Sequence, residues 1–115
     1  MVQKARNNCT VNALSVAAGI GYERADEIAD GAGRKPGRGI KSAKVIEHAK
    51  RYGVHLDKMR LGPRTVQRFI REYPTGNYYA RKRGHAFAIV NGVCVDPNVG
   101  PMVRIVDVWR LREAA

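Results

Sequence analysis

Hydrophobic residues recur at helical spacing through the first two thirds of the chain and alternate as in strands through the last third. Residues 11–18 are almost without a polar stripe and precede Gly19, which predicts a helix buried on most of its circumference. Three amphipathic helices are predicted. The first covers residues 22–30, the second begins after a Ser42 cap, and the third covers residues 66–73 after a Thr65 cap. Strands are predicted over 54–58, 77–81 and 103–106, while residues 108–112 are ambiguous.

The strongest local signal is Asn91-Gly92, which lies between two apolar runs. Both central positions of a type I′ turn need a positive φ, and Asn followed by Gly meets that need best. A two-residue turn sets Ile89 opposite Cys94, and the register of the whole hairpin follows from that pair. The strand before the turn is apolar on both faces, so we expect it in the interior of the sheet.

His85 opens this hairpin and Asp96 ends it. Side chains alternate with period two, so the two residues share a face and sit diagonally across the ladder, about 7 Å apart between Cα atoms. An imidazole and a carboxylate can meet over that distance. Asn98, directly opposite His85, is the alternative partner.

Helices followed by an antiparallel sheet indicate an α+β fold, with a buried N-terminal helix packed on a C-terminal sheet. The 115 residues fit one domain, 1–115, and 44% hydrophobic with 27% charged residues is typical of a soluble globular protein. No apolar run approaches a membrane span of about 20 residues, and the first residues lack the apolar core of a signal peptide. We therefore expect a cytoplasmic protein with no membrane partner.

The net charge is +11, and fifteen of the 21 basic residues lie between Arg34 and Arg83. Such an excess attracts acidic proteins, nucleic acid or anionic surfaces without choosing among them. A solvated basic face that maintains solubility is an equally valid interpretation.

Two cysteines are too few for a disulfide framework, and neither belongs to a Cys/His pattern that would hold zinc, so no metal or cofactor is expected. Cys9 falls in the first turn of the buried helix, where unpaired backbone N–H groups and the helix dipole favour a thiolate. Cys94 shares the face of His85. We expect it to pack against the central helix beneath the site.

Four features of the chain together resemble the papain-like fold in its small bacterial and phage versions, and are similar to bacteriocin-processing peptidase domains. An Asn-Cys pair begins the buried helix, a Gly-His pair opens a late strand, an Asp ends the next strand, and a Gln lies six positions before the Cys. The residues are Asn8, Cys9, Gly84, His85, Asp96 and Gln3.

This resemblance implies a small cysteine peptidase that hydrolyses peptide or isopeptide amides of a protein or peptide substrate. Cys9 would be the nucleophile, His85 its imidazole partner and Asp96 the residue that orients the ring. Gln3 and the backbone N–H of Cys9 would bind the oxyanion.

The substrate groove is expected between the Gly-rich basic loop at residues 31–39 and the turn at 81–84. Their basic residues would favour acidic substrates, and Asn8 and Gly84 flank the catalytic pair. The predicted substrate-binding residues are Asn8, Gly84, Arg83, Lys35 and Arg38, with further basic charge from Arg81 and Lys82.

Three other interpretations stay open. A Cys-His-Asp set also serves transglutaminases, deamidases and acyltransferases, because a fold does not specify a reaction. The basic chain could instead be a nucleic-acid-binding module with structural Cys and His, although no recognition motif is present. It could also be a papain-like scaffold that binds or inhibits without turnover.

Overall fold

Helices cover both faces of an antiparallel sheet in the computed structural model, which describes residues 9–33 and 41–112. The helices are α1 (Cys9–Ala18), α2 (Tyr22–Gly31), α3 (Ser42–Ala49) and α4 (Val66–Glu72), and a 3-10 turn at Lys50–Tyr52 follows α3. The strands are β1 (Leu56–Lys58), β2 (Arg64–Thr65), β3 (Asn77–Lys82), β4 (His85–Val90), β5 (Val93–Cys94), β6 (Arg104–Ile105) and β7 (Asp107–Leu111).

The main sheet has the order β1-β7-β3-β4-β5, and each neighbouring pair is antiparallel. β4 therefore lies inside the sheet, as predicted. The ambiguous segment at 108–112 belongs mostly to β7, which pairs with β1 on one side and β3 on the other. The strand expected at 103–106 is shorter and forms a separate two-stranded sheet with β2. The α+β class is thus confirmed.

The first hydrophobic core lies between α1, α2 and α3 and one face of the sheet. It is formed by fully buried side chains from all four parts, namely Val11, Leu14, Ile28, Val45 and Tyr79, with Ala86 and Ala88 of β4. Small alanines on β4 let α1 approach the sheet closely. Most apolar residues of α1 are buried as predicted, but Ala18 is only partly buried and Val16 is 36% exposed.

The second core covers the opposite face of the sheet, beneath α4. Phe69 of α4 packs edge-on against Tyr78 of β3, with ring centroids 4.9 Å apart and planes at 87°. Phe87 and Ile89 of β4 belong to the same core. Because β4 contributes apolar side chains to both cores, the strand that begins at His85 is held from both sides.

The two predicted helix caps have different outcomes. Thr65 caps α4, since its Oγ1 accepts a hydrogen bond from the backbone N–H of Arg68 at 3.1 Å. The prediction for Ser42 is wrong, because Lys41 occupies the N-cap position and Ser42 is the first helical residue. The Ser42 hydroxyl instead points inward and hydrogen-bonds the Tyr79 hydroxyl at 2.6 Å.

The predicted turn and the first two pairs of the hairpin are confirmed, but the second strand ends at Cys94, so Asp96 follows the strand instead of ending it. Asn91 and Gly92 have φ values of +48° and +80°, and the ladder pairs Ile89 with Cys94. The turn is also attached to a neighbouring turn, because the Asn91 N–H donates to the Gly76 carbonyl at 2.8 Å and the Gly76 N–H donates to Asn91 Oδ1 at 3.0 Å. The hairpin register is therefore held by local and long-range contacts.

We expect Gly92→Ala to destabilise the protein by about 2–3 kcal/mol, because a side chain there combines left-handed strain with a close contact. A Cβ at Gly92 would lie 3.1 Å from the Pro74 carbonyl oxygen. Gly19→Ala is the matched control, since Gly19 has φ +69° and open space around it, so only the strain of about 1 kcal/mol applies. Urea denaturation measures both, and equal losses would contradict the contact at Gly92.

Candidate active site

His85 and Asp96 meet at the open end of the hairpin. His85 Nε2 lies 2.7 Å from Asp96 Oδ2, which confirms the diagonal contact predicted from the register. The other carboxylate oxygen, Oδ1, accepts the backbone N–H of Asn98 at 2.8 Å. Asp96 is thus the partner of the imidazole, and Asn98 contributes its backbone to fix the carboxylate.

The two ring nitrogens of His85 lie in different surroundings, because only one of them contacts Asp96. Nε2 faces the carboxylate, and the ring lies nearly parallel to Phe87, with centroids 6.3 Å apart and planes at 16°. Within the described residues, Nδ1 makes no hydrogen bond. An imidazole fixed through one nitrogen leaves the other as its proton-transfer atom.

Cys9 is the first residue of α1, is half-buried, and lines the same cleft as His85. Helix α1 packs on the face of β4 that carries Ala86. By alternation His85 shares the opposite face with Phe87, which belongs to the second core. Both Cys9 and His85 reach the cleft because each begins its element at the same end of the sheet. No hydrogen bond joins them in the described structure, and such contacts often tighten only when substrate binds.

The cleft has a volume of about 550 Å³ and opens between the start of α1, the start of α3 and the end of the main sheet. This is within the range of small-ligand sites in proteins. The residues that line it are Cys9, Thr10, Lys41, Ser42, Ala43, Lys58, Arg81, Gly84, His85, Ala86, Asp107 and Trp109.

A cluster of hydroxyl groups lies behind Cys9. Tyr79 is fully buried, and its hydroxyl hydrogen-bonds Ser42 at 2.6 Å and also interacts with Thr10. Burial raises the pKa of Tyr79 to about 12, which exceeds the lowering by the two hydroxyl partners. Tyr79 is therefore a neutral hydroxyl at physiological pH, and it ties the start of α1 to the start of α3.

One wall of the cleft is charged. Asp107 accepts hydrogen bonds from Nε and Nη2 of Arg81 at 2.9 and 2.6 Å, and its other oxygen is 3.2 Å from Lys58 Nζ. The Lys58 ammonium also lies 5.1 Å from the centre of the Trp109 ring. Partial burial raises the pKa of Asp107, but the hydrogen bonds from Arg81 and Lys58 outweigh it, so the pKa lies below its usual value.

Cys94 does not lie beneath the site as predicted. It packs at the edge of the second core, under α4, and faces away from α1. The prediction was wrong because alternation shows which residues share a face, but it does not show which helix covers that face. Burial raises the pKa of the Cys94 thiol, and the nearby Asp96 carboxylate adds to the effect. Cys94 is a poor nucleophile in this environment.

The predicted substrate-binding residues are only partly located. Gly84 lines the cleft, whereas Arg83 is exposed on the turn and is not among the lining residues. Four other predicted site residues lie outside the described part of the chain: Gln3, Asn8, Lys35 and Arg38.

Several of the residues that line the cleft were not predicted from the sequence. Trp109 lies in the ambiguous segment 108–112 and Asp107 directly before it, and Lys41 and Lys58 are single basic residues without a motif. Only the alternation of residues 107–111 could have signalled a strand with Asp107 and Trp109 on one face.

Taken together, the described residues provide a thiol, an imidazole fixed by a carboxylate, and an open cleft for an acyl group. These are the parts of nucleophilic acyl transfer. Among residues 9–33 and 41–112, no three or more His, Cys, Asp or Glu side chains are grouped to hold a metal. In the same residues no helix has the length and hydrophobicity to cross a membrane.

Comparisons of the chain with protein-family models, with curated proteins and with solved structures find no match.

Proposed function

We propose that this protein is a small papain-like cysteine peptidase that hydrolyses peptide or isopeptide amides. The observation that carries the proposal is that His85, which Asp96 holds at 2.7 Å, lines the same cleft as Cys9. A thiol at the start of a buried helix and an oriented imidazole are what a cysteine nucleophile requires. The α+β arrangement and the chain order of Cys9, His85 and Asp96 support the papain-like assignment.

In the first half of the reaction, the Cys9 thiolate attacks the carbonyl carbon of the substrate. The tetrahedral intermediate collapses when the His85 imidazolium donates its proton to the leaving amine, and a thioester on Cys9 remains. In the second half, His85 removes a proton from water, which attacks the thioester. The carboxylic acid product leaves and the Cys9 thiolate is restored.

Asp96 has an orienting role in this scheme. Its carboxylate holds Nε2, so Nδ1 is the atom that exchanges protons with Cys9 and with the leaving group. The backbone N–H of Cys9 and the predicted donor Gln3 would bind the oxyanion.

The proposal is tested by the relative reactivity of the two thiols. We expect iodoacetamide at pH 7 to alkylate Cys9 at least about tenfold faster than Cys94, since burial and the Asp96 carboxylate raise the pKa of Cys94. Peptide mapping by mass spectrometry after timed quenching gives both rates in the same sample.

Two controls make the comparison specific. In urea both thiols should react at nearly equal rates, because the difference depends on the folded environment. Cys94→Ala should leave the rate at Cys9 unchanged. Slow and equal alkylation of both cysteines in the folded protein would contradict the proposal.

A further inference from the structure

We infer that the charged wall of the cleft is a subsite for a carboxylate of the substrate, so that the enzyme prefers acidic peptides. This inference rests on the proposed function. Three cationic side chains, those of Lys41, Lys58 and Arg81, line the cleft, and Asp107 is the acidic side chain that lines it with them. The wall therefore carries an excess of positive charge beside the candidate nucleophile.

Arg81 and Asp107 neutralise one another. The Nε and Nη2 groups of Arg81 both donate to Asp107 Oδ2, so Asp107 Oδ1 is left to pair with Lys58. Because Asp107 remains ionised through the neutral range, this pair has no net charge, and the remaining excess belongs to the two lysines.

Lys58 can bind an anion in the cleft while its ammonium remains paired with Asp107. Its ammonium has three donors, of which Asp107 Oδ1 takes one at 3.2 Å, and its side chain is 51% exposed. The Trp109 ring beneath the ammonium limits where that group can lie. The two donors that Asp107 does not take are thus available to an anion in the cleft, at little further cost in side-chain freedom.

Lys41 lies on another wall, at the N-cap of α3, and is exposed. Its carbonyl accepts the backbone N–H groups of Lys44 and Val45, whereas its ammonium has no ion-pair or hydrogen-bond partner among the described residues. A carboxylate in the cleft can thus interact with two lysines that come from different elements. A peptide fits this chemistry better than a nucleic acid, because the adjacent thiol and imidazole act on acyl groups and not on phosphodiesters.

The test uses two electrophiles of nearly equal shape, chloroacetyl-glutamate amide and chloroacetyl-glutamine amide. Each alkylates Cys9 by forming an S–C bond and releasing chloride, so no turnover is needed. Dividing each rate by that of the same probe with N-acetylcysteine amide removes intrinsic reactivity. We expect the glutamate probe to react about threefold to tenfold faster with Cys9, as one or two partly exposed ion pairs would give.

Charge variants locate the effect. Lys41→Gln and Lys58→Gln should each lower the preference for the glutamate probe, and the double variant should reduce the ratio to about one. Lys44→Gln is the matched control, because Lys44 is exposed on the same helix as Lys41 but does not line the cleft. Its ratio should equal that of the wild type.

A third probe, chloroacetyl-glutamine with a free carboxyl terminus, distinguishes a terminal carboxylate from an acidic side chain, and whichever probe reacts faster identifies the source. A rate ratio of one for both carboxylate probes relative to the glutamine amide, or a preference that survives in the double variant, overturns the subsite while Cys9 remains reactive. Protection of Cys9 by a single-stranded oligonucleotide, without a preference for the glutamate probe, also overturns it. Failure of every probe to label Cys9 faster than Cys94 contradicts the proposed function itself.

Discussion

Replacing Cys9 with alanine is expected to lower acyl transfer by at least about 10³-fold, or about 4 kcal/mol in activation free energy. The effect is large because alanine removes the atom that forms the covalent intermediate, and no other described thiol lines the cleft. With p-nitrophenyl acetate, the wild-type protein should release one equivalent of nitrophenolate in a burst as the acetyl group moves to Cys9. Stopped-flow absorbance measures the burst and the slower turnover that follows.

Cys94→Ala is the matched control for this experiment. It removes a thiol of the same kind on the opposite side of the sheet, so the burst should persist at full amplitude. Circular dichroism and urea denaturation establish that both variants fold. If Cys9→Ala keeps the burst, the thiol is not the nucleophile, and a binding role for the basic chain becomes the better hypothesis.

Replacing His85 with alanine is expected to lower the same acyl transfer by about 10²- to 10⁴-fold. The substitution removes the proton acceptor of Cys9 and the donor to the leaving group. Both acylation and deacylation should slow, and the rate of Cys9 alkylation by iodoacetamide should fall with them. His55→Gln is the control, because His55 is half-buried elsewhere and does not line the cleft.

Asp96→Asn gives a finer test of the same pair. The Asn98 N–H binds Oδ1, so it retains the amide oxygen at that position and turns the amide NH₂ toward His85 Nε2. The ring proton would then move to Nδ1, the nitrogen that must accept the proton of Cys9. We expect a loss of about 10²-fold in acylation. Wild-type activity in Asp96→Asn would show that the carboxylate is structural.

The most successful sequence-based predictions concern the hairpin. The type I′ turn needs two positive φ angles, which Asn91 and Gly92 supply, and the two-residue length then sets the two pairs of β4 with β5, Val90 with Val93 and Ile89 with Cys94. The His85–Asp96 contact follows from that register without any knowledge of the rest of the fold. The start of α4 at Thr65 was predictable for the same reason, because a cap is a contact between near neighbours in the chain.

Predictions failed where the answer depends on residues far apart in sequence. Ser42 is a good cap in isolation, but its hydroxyl bonds Tyr79, 37 residues away, once α3 packs on the sheet. The predicted face of Cys94 on the hairpin is correct, but the helix predicted to pack on it, α1, is wrong. Only the packing of the whole domain shows that α4 covers that face.

The amino-acid sequence by itself determined the α+β class, the hairpin and the pairing of an imidazole with a carboxylate, since turn chemistry and side-chain alternation act over a few residues. Only the tertiary structure decided that Cys9 and His85 share a cleft and that Lys41 and Lys58 line it. That arrangement depends on β7, which enters between β1 and β3 and brings Asp107 and Trp109 to the cleft. Such long-range pairing is selected by burial across the whole domain, and no local pattern encodes it.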